Sequence, residues 1–102
     1  MLKKPYELFF TTLANEQRLQ IINLLRKAPK NVTQICKELS FNQTTVSHNL
    51  RRLKTCNFVF NKKNGKERIY CLNKATIKPL MDLIDKHTKK FCRHLCYNNG
   101  GN

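Results

Sequence analysis

The chain has 102 residues, 40% of them hydrophobic, with 20 Lys and Arg against 6 Asp and Glu, for a formal net charge of +14. That is too apolar for a disordered basic tail and short enough for one small domain with a thin core. No run approaches the roughly 18 apolar residues of a membrane span, and the opening MLKKPYELFF lacks the apolar leader of a secreted protein, so a cytoplasmic protein is expected. The five cysteines (Cys36, Cys56, Cys71, Cys92, Cys96) are odd in number and not in a scaffold spacing, which favours reduced thiols.

In chain order, a first helix is expected within Tyr6–Leu13, after Pro5, with Leu8, Phe9, Phe10 and Leu13 burying it on more than one side. Asn15 is an N-cap for a second helix whose apolar stripe is Leu19, Ile22 and Leu25, widened by Ile21 and Leu24, and which stops near Ala28 before Pro29. Val32, Ile35, Cys36 and Leu39 keep helical spacing in a short third helix capped by Asn31 or Thr33. After the break Ser-Phe-Asn, Asn42 caps a fourth helix over Gln43–Thr55. Val46, Leu50 and Leu53 form its inward stripe, and Thr44, Thr45, Ser47, His48, Arg51 and Arg52 its outward side. Phe58–Phe60 and Ile69–Cys71 favour strands, and Asn64-Gly65 between them signals a hairpin. A last helix begins at Asn73 or Thr76 with Pro79 in its first turn. Its apolar stripe is Leu80, Leu83, Ile84, His87, Phe91 and Leu95.

The fold class is therefore mainly α with a small β-hairpin, in the order α-α-α-α-β-β-α. It is one domain over about 1–96, with a helix-turn-helix at about 32–55, a wing at about 58–72, a last helix at about 74–96 and a flexible tail at 97–102. A three-residue break between two helices followed by a basic hairpin makes this a winged helix-turn-helix. The last helix carries more apolar surface than so small a monomer covers, and Phe9 and Phe10 suit it as partners. A homodimer through the first and last helices is expected.

Residues 43–74 hold eight bases and one acid, the densest charge in the chain. A helix entering the major groove leads with its N-terminal turn, where Gln43, Thr44, Thr45, Ser47 and His48 offer short donors and acceptors for base edges. Arg51 and Arg52 lie later and suit phosphates. Lys62, Lys63, Lys66 and Arg68 on the wing suit the flanking backbone or minor groove. Double-stranded DNA is the expected partner, and no membrane. An enzyme is not expected, since neither a phosphate loop nor a metalloprotease motif is present. A constitutive or chromatin-type architectural DNA binder is the alternative.

The stretch LANEQRLQIINLL resembles a family pattern L-A-x-x-x-R-L-x-I-L through Leu13, Ala14, Arg18, Leu19 and Ile21. QTTVSHNLRRLKTCNFV resembles the recognition-helix signature of the same family in its V-S-H form, and NGKERIYCL its wing. Over roughly residues 5–90 the chain resembles the ArsR/SmtB transcriptional repressors. That resemblance implies a homodimer on an imperfect inverted repeat, in many members released by a metal or metalloid and in others by thiol oxidation. The family's metal positions are incompletely kept: Cys36 stands alone a turn late, Cys56 lacks its usual companion, and His87 is retained where Lys90 replaces a further ligand. Cys92 and Cys96, four apart on a helix, with His87, are a candidate site for Zn, Cu(I) or As(III), a candidate redox pair, or simply structural. Cys36 and Cys71 read as buried hydrophobes.

Overall fold

The structure, a computed structural model, describes residues 3–92. Five helices and three short strands follow in the order α1 (Lys4–Leu13), α2 (Glu16–Lys27), β1 (Lys30–Asn31), α3 (Val32–Leu39), α4 (Gln43–Thr55), β2 (Val59–Asn64), β3 (Glu67–Leu72) and α5 (Ile77–Phe91). The strands form one antiparallel sheet in the order β1-β3-β2.

Capping explains most of the boundaries. The Asn15, Asn31 and Asn42 side chains each accept a hydrogen bond from the backbone N–H three residues on, opening α2, α3 and α4. At α3 the bond is reciprocal, since Gln34 Oε1 accepts from the Asn31 N–H. α4 ends on Asn57 in the left-handed region (φ 58°), with the Phe58 N–H bonded to the Leu53 carbonyl and the Asn57 N–H to that of Lys54. This is a Schellman closure, and asparagine is the residue besides glycine that tolerates it. α1 starts one residue before Pro5, which sits harmlessly in the first turn.

The hairpin turns at Gly65-Lys66, with Asn64 opposite Glu67. The turn thus lies one residue beyond the Asn-Gly pair that signals it, and Gly65 (φ 67°) supplies the positive φ at its first position. The core is built from Ile21, Ile22, Leu24 and Leu25 of α2, Ile35 of α3, Val46, Leu50 and Leu53 of α4, Phe58, Val59 and Leu72 of the sheet, and Ile77 and Met81 of α5. Cys36 is half-buried against the core and Cys71 is half-buried without packing on it, so neither is buried within it.

Two helices depart from expectation. α1 is not buried on more than one side within the chain: Thr12 is buried, Phe9 and Leu13 are half-buried, and Tyr6 and Phe10 are 58% and 60% exposed. Phe9 turns inward onto Phe58, with ring centroids 5.0 Å apart, so only Phe10 of the pair faces out. α5 begins at Ile77, and the Asn73 side chain organises its entry by accepting from the Ala75 and Thr76 N–H groups. Its inward row is Ile77, Leu80, Met81 and Ile84. Leu83, His87 and Phe91 of the expected stripe form a separate exposed row at i, i+4 and i+8, and Leu95 lies outside the described residues. α5 is also tied to α2 by Arg26, whose Nη2 sits 2.7 Å from both Asp82 Oδ1 and Asp85 Oδ2.

The Arg26 hydrogen bond holds the Asp82 carboxyl below its ordinary pKa, and the two carboxylates raise that of Arg26. A depressed carboxylate stabilises the fold above its unfolded pKa, and that contribution is lost as pH falls through the lower folded value. Chemical denaturation of the wild type and Asp82→Asn across pH should therefore show a stability gap that is constant near neutrality and closes in acid, below about pH 4.

Candidate nucleic-acid interface

The outward side of α4 divides into two flanks. Gln43, Thr44, Ser47, His48 and Arg51 line one open groove, and all five are exposed. Their side chains hydrogen-bond to nothing else among the described residues. Thr45, Asn49 and Arg52, at i, i+4 and i+7, form a second stripe turned toward α1 and α2. Of the sequence-expected residues on α4, the structure thus brings five together and sets Thr45 and Arg52 apart.

Arg52 is half-buried. Its Nε donates to Thr12 Oγ1 (2.9 Å), so the guanidinium braces α4 against the end of α1 instead of standing free on the outward side. Thr45 is half-buried, and its carbonyl accepts from Asn49 Nδ2 (2.9 Å).

Asn49, only 3% exposed, was not singled out from the sequence. It also donates to Gln17 Oε1 (3.2 Å) and accepts from Arg18 Nη1 (3.3 Å). Arg18 donates further to the carbonyls of Thr12 (2.7 Å, through Nε) and Thr11 (3.0 Å, through Nη2). One guanidinium therefore satisfies the end of α1, and the same side chain reaches α4. Burial, and secondly the positive charge of Arg52, lower the Arg18 pKa from its ordinary value. The signal for this joint was the i, i+4, i+7 spacing of polar residues facing a helix junction.

The wing carries Lys62, Lys63, Lys66 and Arg68, all exposed, with Lys63 directly opposite Arg68 across the hairpin. Neither these four nor Arg51 forms an ion pair among the described residues. The one acid of this region, Glu67, accepts from Asn31 Nδ2 (2.9 Å). That bond draws the wing to the start of α3. Lys66 and Arg68 there share a groove with Asn31, Val32 and Thr33, and Thr33 is a residue the sequence reading did not place near the wing. β1 reinforces the junction, with Lys30 and Asn31 paired to Tyr70 and Ile69 of β3.

Of the metal-ligand candidates Cys92, Cys96 and His87, only His87 and Cys92 are among the described residues. No group of three or more His, Cys, Asp or Glu able to hold a metal occurs among the described residues. His87 packs against Phe91 (centroids 5.1 Å), Cys92 is the C-cap of α5, and Cys96 lies outside the described residues. Five residues apart, His87 and Cys92 point about 140° from one another around the axis. These two side chains alone do not make a zinc, copper or arsenic site.

Residues 15–60 match the model of the bacterial regulatory proteins of the arsR family. That stretch runs from the cap of α2 through α4 to the start of β2. It is 31% identical over 77 residues to the HTH-type transcriptional regulator NmtR of Mycobacterium tuberculosis, covering 76% of this chain and 64% of that one. An uncharacterized HTH-type transcriptional regulator of Methanocaldococcus jannaschii is 33% identical over 66 residues, covering 65% of this chain and 17% of that one. The chain thus spans 17% and 64% of the lengths of these two relatives. In structure it resembles the homodimeric winged helix-turn-helix DNA-binding domain of a possible ArsR-family regulator from Mycobacterium bovis. The TM-score is 0.82 at 28% identity, over 88% of this chain and 83% of that one. The fold of the chain is accordingly the winged helix-turn-helix, mainly helical with a small antiparallel sheet.

The two adjacent arginines of α4 should separate by stability. Arg52→Ala is expected to lower the unfolding free energy by about 1–2 kcal/mol through loss of its bonds to α1, and Arg51→Ala to change it by less than about 0.5 kcal/mol, both read by urea denaturation.

Proposed function

We propose that this chain is a double-stranded DNA-binding transcriptional regulator, acting as a homodimer that represses by occupying an inverted repeat. The observation that carries this reading is the groove of Gln43, Thr44, Ser47, His48 and Arg51 on α4, together with wing cations that have no acidic partner among the described residues. Short hydrogen-bonding side chains on α4 suit base edges, and the unpaired Lys and Arg of the wing suit phosphates. The matched relatives are named as transcriptional regulators, not enzymes, which agrees with the motifs. No helix among the described residues is long and apolar enough to cross a membrane.

The dimer is supported by the exposed rows Tyr6 and Phe10 on α1 and Leu83, His87 and Phe91 on α5, with Leu83 62% and Phe91 59% exposed. Burying such rows against a second copy is the ordinary remedy for apolar surface of this kind. The Mycobacterium bovis neighbour is described as homodimeric. A two-fold axis sets two copies of α4 about one helical turn of DNA apart, roughly 34 Å.

Selection of binding sites from random duplexes, followed by salt titration on the best site, tests the reading. An inverted repeat is expected to emerge, with random duplex bound far more weakly. Arg51→Ala should reduce the slope of log affinity against log salt by about 1, and Gln43→Ala should relax base preference at one position of each half-site. Arg52→Ala should leave the slope unchanged. Equal affinity for every duplex identifies an architectural binder instead. Phe10→Asp or Phe91→Asp should shift the protein to monomer in sedimentation and abolish selection of paired half-sites.

A further inference from the structure

α1 and the end of α4 enclose a second concavity, on a different side of α4 from the proposed DNA groove. It has a volume of about 340 Å³ and is lined by Pro5, Leu8, Phe9, Arg52, Thr55 and Cys56. Its walls are largely apolar, and its one charged wall is the Arg52 guanidinium. Arg52 and Arg18 are both held on Thr12, through Oγ1 at 2.9 Å and the carbonyl at 2.7 Å, so two cationic groups gather at one residue. Neither forms an ion pair among the described residues. An apolar trough with one guanidinium in its wall, that of Arg52, which has no acidic partner among the described residues, is complementary to an anion with a hydrocarbon body, because the charge is satisfied without leaving the apolar walls wet.

We propose that this cleft binds a small amphipathic carboxylate, its apolar body against Leu8 and Phe9 and its head group on Arg52. The cleft is separate from the exposed row assigned to the dimer. Pro5, Leu8, Phe9 and the buried Thr12 share one side of α1, and Tyr6 and Phe10 lie about 100° further round from Pro5 and Phe9. The proposal goes beyond the DNA reading and does not depend on it. Occupancy would compete with Thr12 for Arg52 and so reach the contact that braces α4 against α1.

Octanoate is the probe, with octanol and octylamine as its neutral and cationic counterparts. Each is titrated into the full isotope-labelled chain, and backbone amide shifts are followed by NMR. Saturable shifts centred on residues 6–9 and 52–56 are expected for octanoate, with octanol bound about tenfold more weakly and octylamine weaker still. Arg52→Gln should weaken octanoate about tenfold and leave octanol unchanged. Leu8→Glu, at a position already 41% exposed and so compatible with folding, should abolish octanoate binding. The proposal is overturned by equal affinity for all three probes, by shifts spread without saturation over the basic surface, or by octanoate binding that survives Leu8→Glu. It is equally overturned by silence in a dimer whose second copy fills the cleft.

Discussion

Arg18 and the end of α1 form the contact on which the rest of the arrangement leans. A helix terminus leaves its last carbonyls without partners, and the break at Ala14 is too short for solvent or a long loop to resolve the problem. The Arg18 guanidinium takes two of those carbonyls, Thr11 and Thr12, and reaches on to Asn49 in the middle of α4. Three helices are fixed relative to one another by one side chain, with Arg52 closing the same junction from the α4 side. A buried asparagine bonded on both sides costs little and adds directional contacts to the apolar stripe Val46, Leu50 and Leu53 that seats α4 on the core. The face that α4 presents outward follows from that seating.

The elements that the sequence made legible are those governed by local chemistry. Asparagine caps stand where three helices begin, the α4 stripe Val46, Leu50 and Leu53 is buried, and the hairpin signal falls within one residue of the actual turn. β1 was not legible, because two residues carry no periodicity and its pairing depends on β3, some 40 residues away. Arg52 was misplaced for a geometric reason. On a helical wheel it lies near the edge of the outward arc, and the deciding factor was Thr12 on another helix, which no local pattern reports. The apolar residues of α1 and α5 were recognised as a stripe, but which of them turn inward was not. Both sides of these helices are apolar, so the pattern does not distinguish the chain's own core from an external surface.

The distribution of acids is as informative as that of bases. Asp82 and Asp85 are engaged by Arg26, Glu38 by Lys30, and Glu67 by Asn31. Carboxylates are thus used to fasten elements together, on the α2–α5 side and at the root of the wing, and α4 itself has none. The long-range field over α4 and the wing is left positive, a condition that accelerates encounter with a polyanion and weakens with added salt.

The four short polar side chains of the α4 groove are held by nothing: Gln43, Thr44, Ser47 and His48 carry no internal hydrogen bond among the described residues, and Asn42 alone secures the turn beneath them. Substitution there is nearly free of folding cost. Such positions can change while the scaffold stays intact, so this face can be varied without altering how the chain folds. Transplanting the wing has no such freedom, because Asn31 serves both α3 and Glu67, and a donor hairpin must arrive with a compatible residue at that distant position.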